Sequence, residues 1–265
     1  LIKPILNNFP PTFNMYFEPF IGGGSVLFEI CPERAVIGDI NEQLINVYIQ
    51  VRDNPQEVIG FMKSLDSIEC TSDRYYEVRS VFNEMISNHT LSAKSAAIFI
   101  FINKHCFNGL YRVNQRGEFN VPYNGRFNGT SADEHNLISI SNYLRSHDIE
   151  ILNSDFEETC SSAKSGDFIY FDSPYIPITD TAKFVNYQKD GFSLDNHKRL
   201  ASLVKELDRR GCFVLLSNND VPLVYDLYSD FDIIKVDAKR IINRCGDNCY
   251  GKEVLIRKYS IKDKR

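Results

Sequence analysis

Met15-Tyr16-Phe17-Glu18-Pro19-Phe20-Ile21-Gly22-Gly23-Gly24-Ser25 decides the fold. A short apolar run stops at a proline and three glycines, and Val26-Leu27-Phe28 resumes the apolar pattern. This reads as strand, glycine loop and helix. A second run, Ala35-Val36-Ile37, ends in Gly38-Asp39 and reads as the next strand. A glycine loop between strand and helix lets a ligand approach the backbone closely, although a plain tight turn needs the same residues. The dinucleotide fingerprint fails, because Leu27 stands where its third glycine belongs. A nucleoside ligand without phosphates therefore fits the loop better than a pyrophosphate.

Working outward, 42–52 reads as a helix, and Asn54-Pro55-Gln56-Glu57 as the capped start of another, with a box-like Asn-x-x-Glu. In the second half, 149–152, 168–171, 213–216, 233–236 and 254–256 read as buried strands. Amphipathic helices are expected near 194–209 and 222–228. The pattern is α/β with a mostly parallel sheet. The middle differs: helical stretches at 75–85 and 93–104 precede a polar run from Asn108 to Tyr123, read as a hairpin turning near Arg116-Gly117. It looks like a module inserted into the α/β domain.

The chain has 265 residues, 43% hydrophobic and 25% charged, enough to bury a large core and to exclude wholesale disorder. Its longest clean apolar run, 96–102, is far below the ~18 residues of a membrane span. No leader pattern opens it, and a soluble, cytoplasmic protein is expected. Seven cysteines are an odd and scattered count, which suits a reducing compartment. Only Cys245 and Cys249 are close, and neither they nor the histidines have metal-ligand spacing, so no metal is expected. Net charge is -5, but Lys235 to Arg265 holds ten Lys/Arg against four Asp/Glu, so basic charge is segregated toward the end.

Two carboxylates stand at expected strand ends. Asp39 is placed to accept both hydroxyls of a ribose, or to cap the next helix. Asp172-Ser173-Pro174-Tyr175 directly follows 168–171 and combines an acceptor, a stiffened turn and an aromatic face. The trio suits a planar base with an exocyclic amine: the ring stacks on Tyr175 while Asp172 and the Ser173 carbonyl accept the two amine hydrogens. Those two bonds draw the nitrogen lone pair out of ring conjugation, and the base can enter only when unpaired or flipped.

In this order, Phe17 to Gly24, Asp39-Ile40-Asn41, Asn108 to Pro122, Asp155-Phe156 and Asp172 to Tyr175, the chain resembles Dam-type DNA adenine-N6 methyltransferases. The likeness is to the alpha group of GATC type, as in the DpnII-system and MboI-system adenine methylases. The resemblance implies a Rossmann-like S-adenosylmethionine-dependent methyltransferase sheet, formed by 1–53 and 146–265. It also implies an inserted, mainly helical target-recognition domain, 54–145, carrying a β-hairpin. S-Adenosylmethionine would be the methyl donor, with Glu18, Pro19, Phe20, Gly22 and Gly24 lining its pocket. Asp39 would hold its ribose, Asp155 and Phe156 its adenine, and Asp172 would lie beside its methionine moiety. Asp172, Ser173, Pro174 and Tyr175 would form the catalytic motif.

The partner implied is double-stranded DNA at GATC. Arg112 would read a guanine edge, where a guanidinium bonds O6 and N7 together. Leu110 and Pro122 would touch thymine, Phe107 would wedge into the stack near the flipped adenine, and Asn108 would stand by its orphaned partner. Asn120 belongs to the same hairpin, while Arg126 and the basic tail would meet phosphates. A companion restriction endonuclease and a monomeric state are also expected. Ser173 replaces the first proline of the family's Asp-Pro-Pro-Tyr, but the carbonyl it supplies is retained. The family's opening Lys-Trp-x-Gly-x-Lys does not precede Leu1, so the chain is expected to be a trimmed form of a longer protein. These two departures define the alternative of a weak or silent GATC-binding relative. A cytosine-N4 enzyme would instead tend to Ser-Pro-Pro.

Overall fold

The computed structural model describes residues 2–125, 129–131, 133–177, 192–239 and 250–261. Seven strands, β1 (Tyr16–Glu18), β2 (Arg34–Asp39), β3 (Asp148–Asn153), β4 (Phe168–Phe171), β5 (Phe213–Asn219), β6 (Asp232–Lys239) and β7 (Tyr250–Arg257), form one sheet in the order β3-β2-β1-β4-β5-β7-β6. β1 pairs in parallel with β2 and β4, and β4 with β5, so their carboxyl ends share one edge. β7 enters antiparallel between β5 and β6. The sheet is thus mostly parallel, as expected.

The central strands β1 and β4 are apolar because both faces are covered. Every residue of β1 and β4 is buried, and Phe168 is ringed by Phe9, Phe13 and Tyr16 at centroid distances of 4.5, 5.6 and 5.8 Å. Helices α1 (Ile2–Asn7), α2 (Ser25–Ile30), α8 (Phe156–Thr159), α9 (Leu194–Arg209) and α10 (Pro222–Leu227) belong to the same unit, which comprises Leu1–Ile40 and Ser154–Arg265. α9 buries one face through Leu200, Val204 and Leu207, as its 3.6-residue pattern requires.

The second compact unit is Asn41–Asn153, with α3 (Glu42–Asp53), α4 (Pro55–Asp66), α5 (Ser72–Ser87), α6 (Ala93–His105) and α7 (Glu134–Ser146). Here α3 packs on α6 and α7, which is why it groups with the helices instead of the strand before it. α6 is apolar on all sides because it is the central helix. Ala96, Ala97 and Val58 fill one cluster, while Phe101, Phe82, Tyr75 and Phe119 fill another.

Three local expectations are corrected. The side chain of Asn54 does not cap α4: its amide donates to Gln50 Oε1 (2.9 Å), captured by the helix that ends one residue earlier. β3 and β6, the two edge strands of the sheet, are not buried strands: only Ile149 is buried in β3, and none of 233–236 is buried in β6. β5 continues past Leu216 through three polar residues, Ser217-Asn218-Asn219, all buried. The 108–123 excursion runs out and back as expected, but with two isolated antiparallel bridges, Cys106↔Tyr123 and Val113↔Phe119, in place of a ladder.

Candidate functional site

At the carboxyl edge of the parallel strands, the glycine loop turns through left-handed conformations at Gly22 (φ 46°) and Gly24 (φ 67°), where a side chain would be strained. A Cβ on Gly22 or Gly23 would meet nothing within 4 Å, so the backbone lies open to a ligand. Asp39 ends β2, and its Oδ2 accepts from Gly22 N at 3.4 Å. Asn41, not Asp39, caps α3, accepting from Gln43 N and Leu44 N. The capping explanation of Asp39 is thereby removed.

Beside the loop lies a cleft lined by Pro19, Phe20, Ile40, Asp155, Phe156 and Phe192. Phe20 stacks on Phe156 at 5.4 Å and meets Phe192 edge-on at 5.7 Å. Ile40 stands 79% exposed at this cleft, an apolar face for a planar group. Asp155 caps α8 through Glu157 N and pairs with Arg199 (3.2 Å), whose guanidinium also lies 5.0 Å over the Phe156 ring.

Asp172 follows β4. Its Oδ1 accepts from Ser217 Oγ at 2.8 Å, and Ser217 also meets the Tyr170 hydroxyl at 3.2 Å. Asp172 keeps solvent contact, yet withdrawal from bulk water raises its carboxyl pKa, against which the Ser217 and Tyr175 hydroxyls work. Tyr175 OH donates to Glu253 Oε2 at 3.5 Å, and burial raises its phenol pKa. Ser173 is buried while Pro174 is exposed.

Glu18 ends β1, 2% exposed, accepting from Tyr16 OH at 2.9 Å. Burial first, and then the nearby Asp172, push its carboxyl up to about 8. It therefore carries a proton at neutral pH. The fold holds this proton over a range where the unfolded chain has lost it. The associated stability is fully present below pH 4.5 and is lost as pH rises through about 8. Glu18→Gln should remove that decline, which has a limiting slope of ~1.4 kcal/mol per pH unit. Chemical denaturation at pH 5, 6, 7 and 8 checks this, and parallel wild-type and variant curves would refute it.

In the helical unit, the excursion is hung from α5. Tyr75 OH and Arg79 Nη1 both donate to Val121 O (2.8 and 3.2 Å). Asn83 makes both bonds to the Phe119 backbone, accepting from N (2.8 Å) and donating to O (3.1 Å). The Asn114 side chain closes the tip by accepting from Arg116 N and Glu118 N, with Gly117 at φ 79°. On the outer side, Arg112 Nε donates to Asn120 Oδ1 at 2.7 Å, which aims the guanidinium. Phe107, Leu110 and Pro122 are exposed, and Asn108 is left-handed at φ 56°. Phe107 N bonds Pro122 O at 2.8 Å. Arg126 lies outside the described residues, as does much of the basic tail, with Cys245 and Cys249.

The sequence reading missed Ile40, Arg199 and the Ser217-Asn218-Asn219 run. The run was findable: three polar residues directly after an apolar strand, level with the Asp172 turn, need partners at that edge. Among the described residues, no cluster of three or more His, Cys, Asp or Glu is placed to hold a metal, and no helix is long and apolar enough to cross a membrane.

A mostly parallel sheet with an open glycine loop, a strand-end acid and an acid-led turn along one edge is a Rossmann-like fold. Residues 1–242 match the family model described as D12 class N6 adenine-specific DNA methyltransferase. The chain belongs to that family. It is 40% identical over 252 residues to the type II methyltransferase M1.LlaDCHI of Lactococcus lactis subsp. cremoris, covering 94% of this chain and 88% of that one. It is 41% identical to the type II methyltransferase M.MjaIII of Methanocaldococcus jannaschii over 88% of this chain and 83% of the relative. It is 30% identical to the DNA adenine methylase of Escherichia coli K12, over 89% and 83%. The protein is an adenine-specific DNA methyltransferase, and its family implies S-adenosylmethionine as the methyl donor.

Proposed function

We propose that the enzyme methylates the N6 amine of an adenine flipped out of duplex GATC, with Asp172, Ser173, Pro174 and Tyr175 as its catalytic motif. The observation that supports this most is the convergence of Phe20, Asp39 and Asp172 on one strand edge, each from a different motif. S-Adenosylmethionine supplies an electrophilic methyl group when bound. The residues present fit it: the open loop at Gly22 and Gly24 with Glu18 and Pro19, the Asp39 carboxylate, and the apolar cleft of Phe20 and Phe156 beside Asp155.

The protein's own work is to orient and polarise. Asp172 and the Ser173 carbonyl accept the two amine hydrogens while the base stacks on Tyr175. Transfer is then direct, with no covalent nucleophile. Residues 1–53 and 146–265 act as the catalytic domain and 54–145 as the recognition domain. Phe107, Asn108, Leu110, Arg112, Asn120, Pro122 and Arg126 face DNA in this reading. The Arg112–Asn120 bond supports it, because a side chain already aimed loses less freedom on binding a guanine edge. Asn120 acts by aiming Arg112. Two relatives named as type II methyltransferases agree with a companion endonuclease, and the enzyme works as a monomer.

Labelled methyl transfer to a GATC duplex, beside one with that adenine replaced, tests the reading. Incorporation on the first alone is expected, and equal or absent incorporation on GATC refutes the site assignment. In the same assay Arg112→Ala should relax one position of the site, at a cost of roughly 1–3 kcal/mol in discrimination. An equal loss on every sequence would make it a phosphate contact.

A further inference from the structure

The catalytic turn is held by a neighbour that the motif itself does not contain. Along β5, three successive buried polar residues reach the two ends of 172–176. Ser217 Oγ donates to Asp172 Oδ1 (2.8 Å). Asn218 Oδ1 accepts from Ile176 N (2.9 Å), and also from Asn219 N (2.8 Å). Asn219 Nδ2 donates to Ile176 O (2.7 Å). All three residues are at most 6% exposed. Buried polar side chains at a strand end need partners, and here the turn supplies Asp172 Oδ1 and both backbone atoms of Ile176. Ser217 Oγ also meets the Tyr170 hydroxyl (3.2 Å) and Phe171 O (3.5 Å), while Asn218 Nδ2 has no partner among the described residues. The turn itself has one proline, Pro174, and its Ser173 hydroxyl finds no partner among the described residues, so it does little to stiffen itself.

We propose that Ser217-Asn218-Asn219 is a positioning clamp for the catalytic turn, in which Ser217 orients the Asp172 carboxylate while Asn218 and Asn219 fix the backbone that carries Tyr175. This rests on the assignment of Asp172 as the group that accepts the target amine. The clamp has two separable actions. Ser217 touches the carboxylate and favours its ionised form, since a hydroxyl hydrogen stabilises the anion. The Asn219 amide donates to main chain, the Ile176 carbonyl, and is not among the groups that shift the Asp172 carboxyl. The other titratable groups around Asp172 are Tyr16 and Glu18 on β1, Tyr170 on β4 and Tyr175 in the turn, with Glu253 of β7 behind Tyr175. Ser217→Ala also removes a hydroxyl partner of Tyr170 and Tyr175, but burial raises both phenols, so they stay protonated across the acid limb.

The test uses the full chain, labelled S-adenosylmethionine and genomic DNA free of adenine methylation, so that it does not depend on the GATC assignment. Ser217→Ala should lower kcat roughly 10- to 100-fold, the worth of a hydrogen bond to a charged group. Binding of labelled cofactor should stay near wild type. The acid limb of the kcat–pH profile should move to higher pH, because Asp172 must be ionised to accept and now holds its proton longer. Asn219→Ala should lower kcat without moving that limb. Should Ser217→Ala fail to fold, Ser217→Cys keeps the volume, donates weakly and carries the same expectation. An unshifted acid limb in the Ser217 variants, or kcat within about twofold of wild type, where a lost bond predicts tenfold or more, overturns the clamp. Asp172→Ala is run alongside. If it abolishes transfer while Ser217→Ala changes nothing, only the clamp falls; if Asp172→Ala stays active, the catalytic assignment falls and the clamp with it.

Discussion

Asp172→Ala should abolish methyl transfer while leaving DNA binding largely intact. The amine of adenine is a poor nucleophile because its lone pair is shared with the ring. A carboxylate accepting its hydrogen counters this through a charge-assisted bond, stronger than one to a neutral acceptor. The same group fixes the nitrogen against the incoming methyl. Removing one preorganised electrostatic group of this kind costs about 10²–10³ in rate, and lost orientation adds to it. The substitution also leaves the Ser217 hydroxyl without the acceptor it now has at 2.8 Å. Single-turnover transfer, with DNA affinity measured in parallel, decides the matter. Turnover within about tenfold of wild type would fall short of that range and remove Asp172 from the chemistry.

Phe119→Ala should be the most damaging change in the helical unit. This ring is 2% exposed, edge-on to Phe82 at 6.0 Å and beside Tyr111 at 5.6 Å. Truncating such a residue costs about 3–5 kcal/mol in lost burial and cavity. Its backbone is the point where Asn83 grips the excursion, so the loss falls on the segment that carries Arg112. DNA affinity and base discrimination should both collapse. Cofactor binding, which the proposed function assigns to residues of the other unit, should survive. Thermal unfolding and DNA titration check this together. Unchanged affinity would show that the excursion does not depend on its anchor.

Most of the sheet was legible because parallel strands covered on both faces must be apolar without interruption, and 168–171 and 213–216 are. The limits of that rule are instructive. β5 runs on into Ser217-Asn218-Asn219, where strand geometry persists but the side chains serve a turn 42 to 45 residues earlier in sequence. Periodicity reads what faces a core, not what a polar side chain bonds to across strands. Likewise, the out-and-back course of 108–123 followed from Gly117 and its flanking polar residues. That its backbone is satisfied by Tyr75, Arg79 and Asn83 was not legible, because those partners lie 36 to 46 residues away. The family was readable from the motifs as an ordered set, whereas each motif alone was ordinary. Asp39 shows why: two roles fitted it equally until Asn41 was seen to take one of them.

The two-point suspension of the excursion, at Phe119 and Val121, bears on how such enzymes diversify. A tip that owes its shape to its own Asn114 and Gly117, and its attachment to bonds with main-chain atoms, imposes little on the identity of the side chains between them. Arg112, Val113, Gln115 and Arg116 can drift without unfolding the unit that presents them, whereas Asn114 and the packed Tyr111 are held. If the tip reads the target as proposed, a lineage could explore new target sequences by substitution there alone, while the machinery for transferring the methyl group is inherited unchanged.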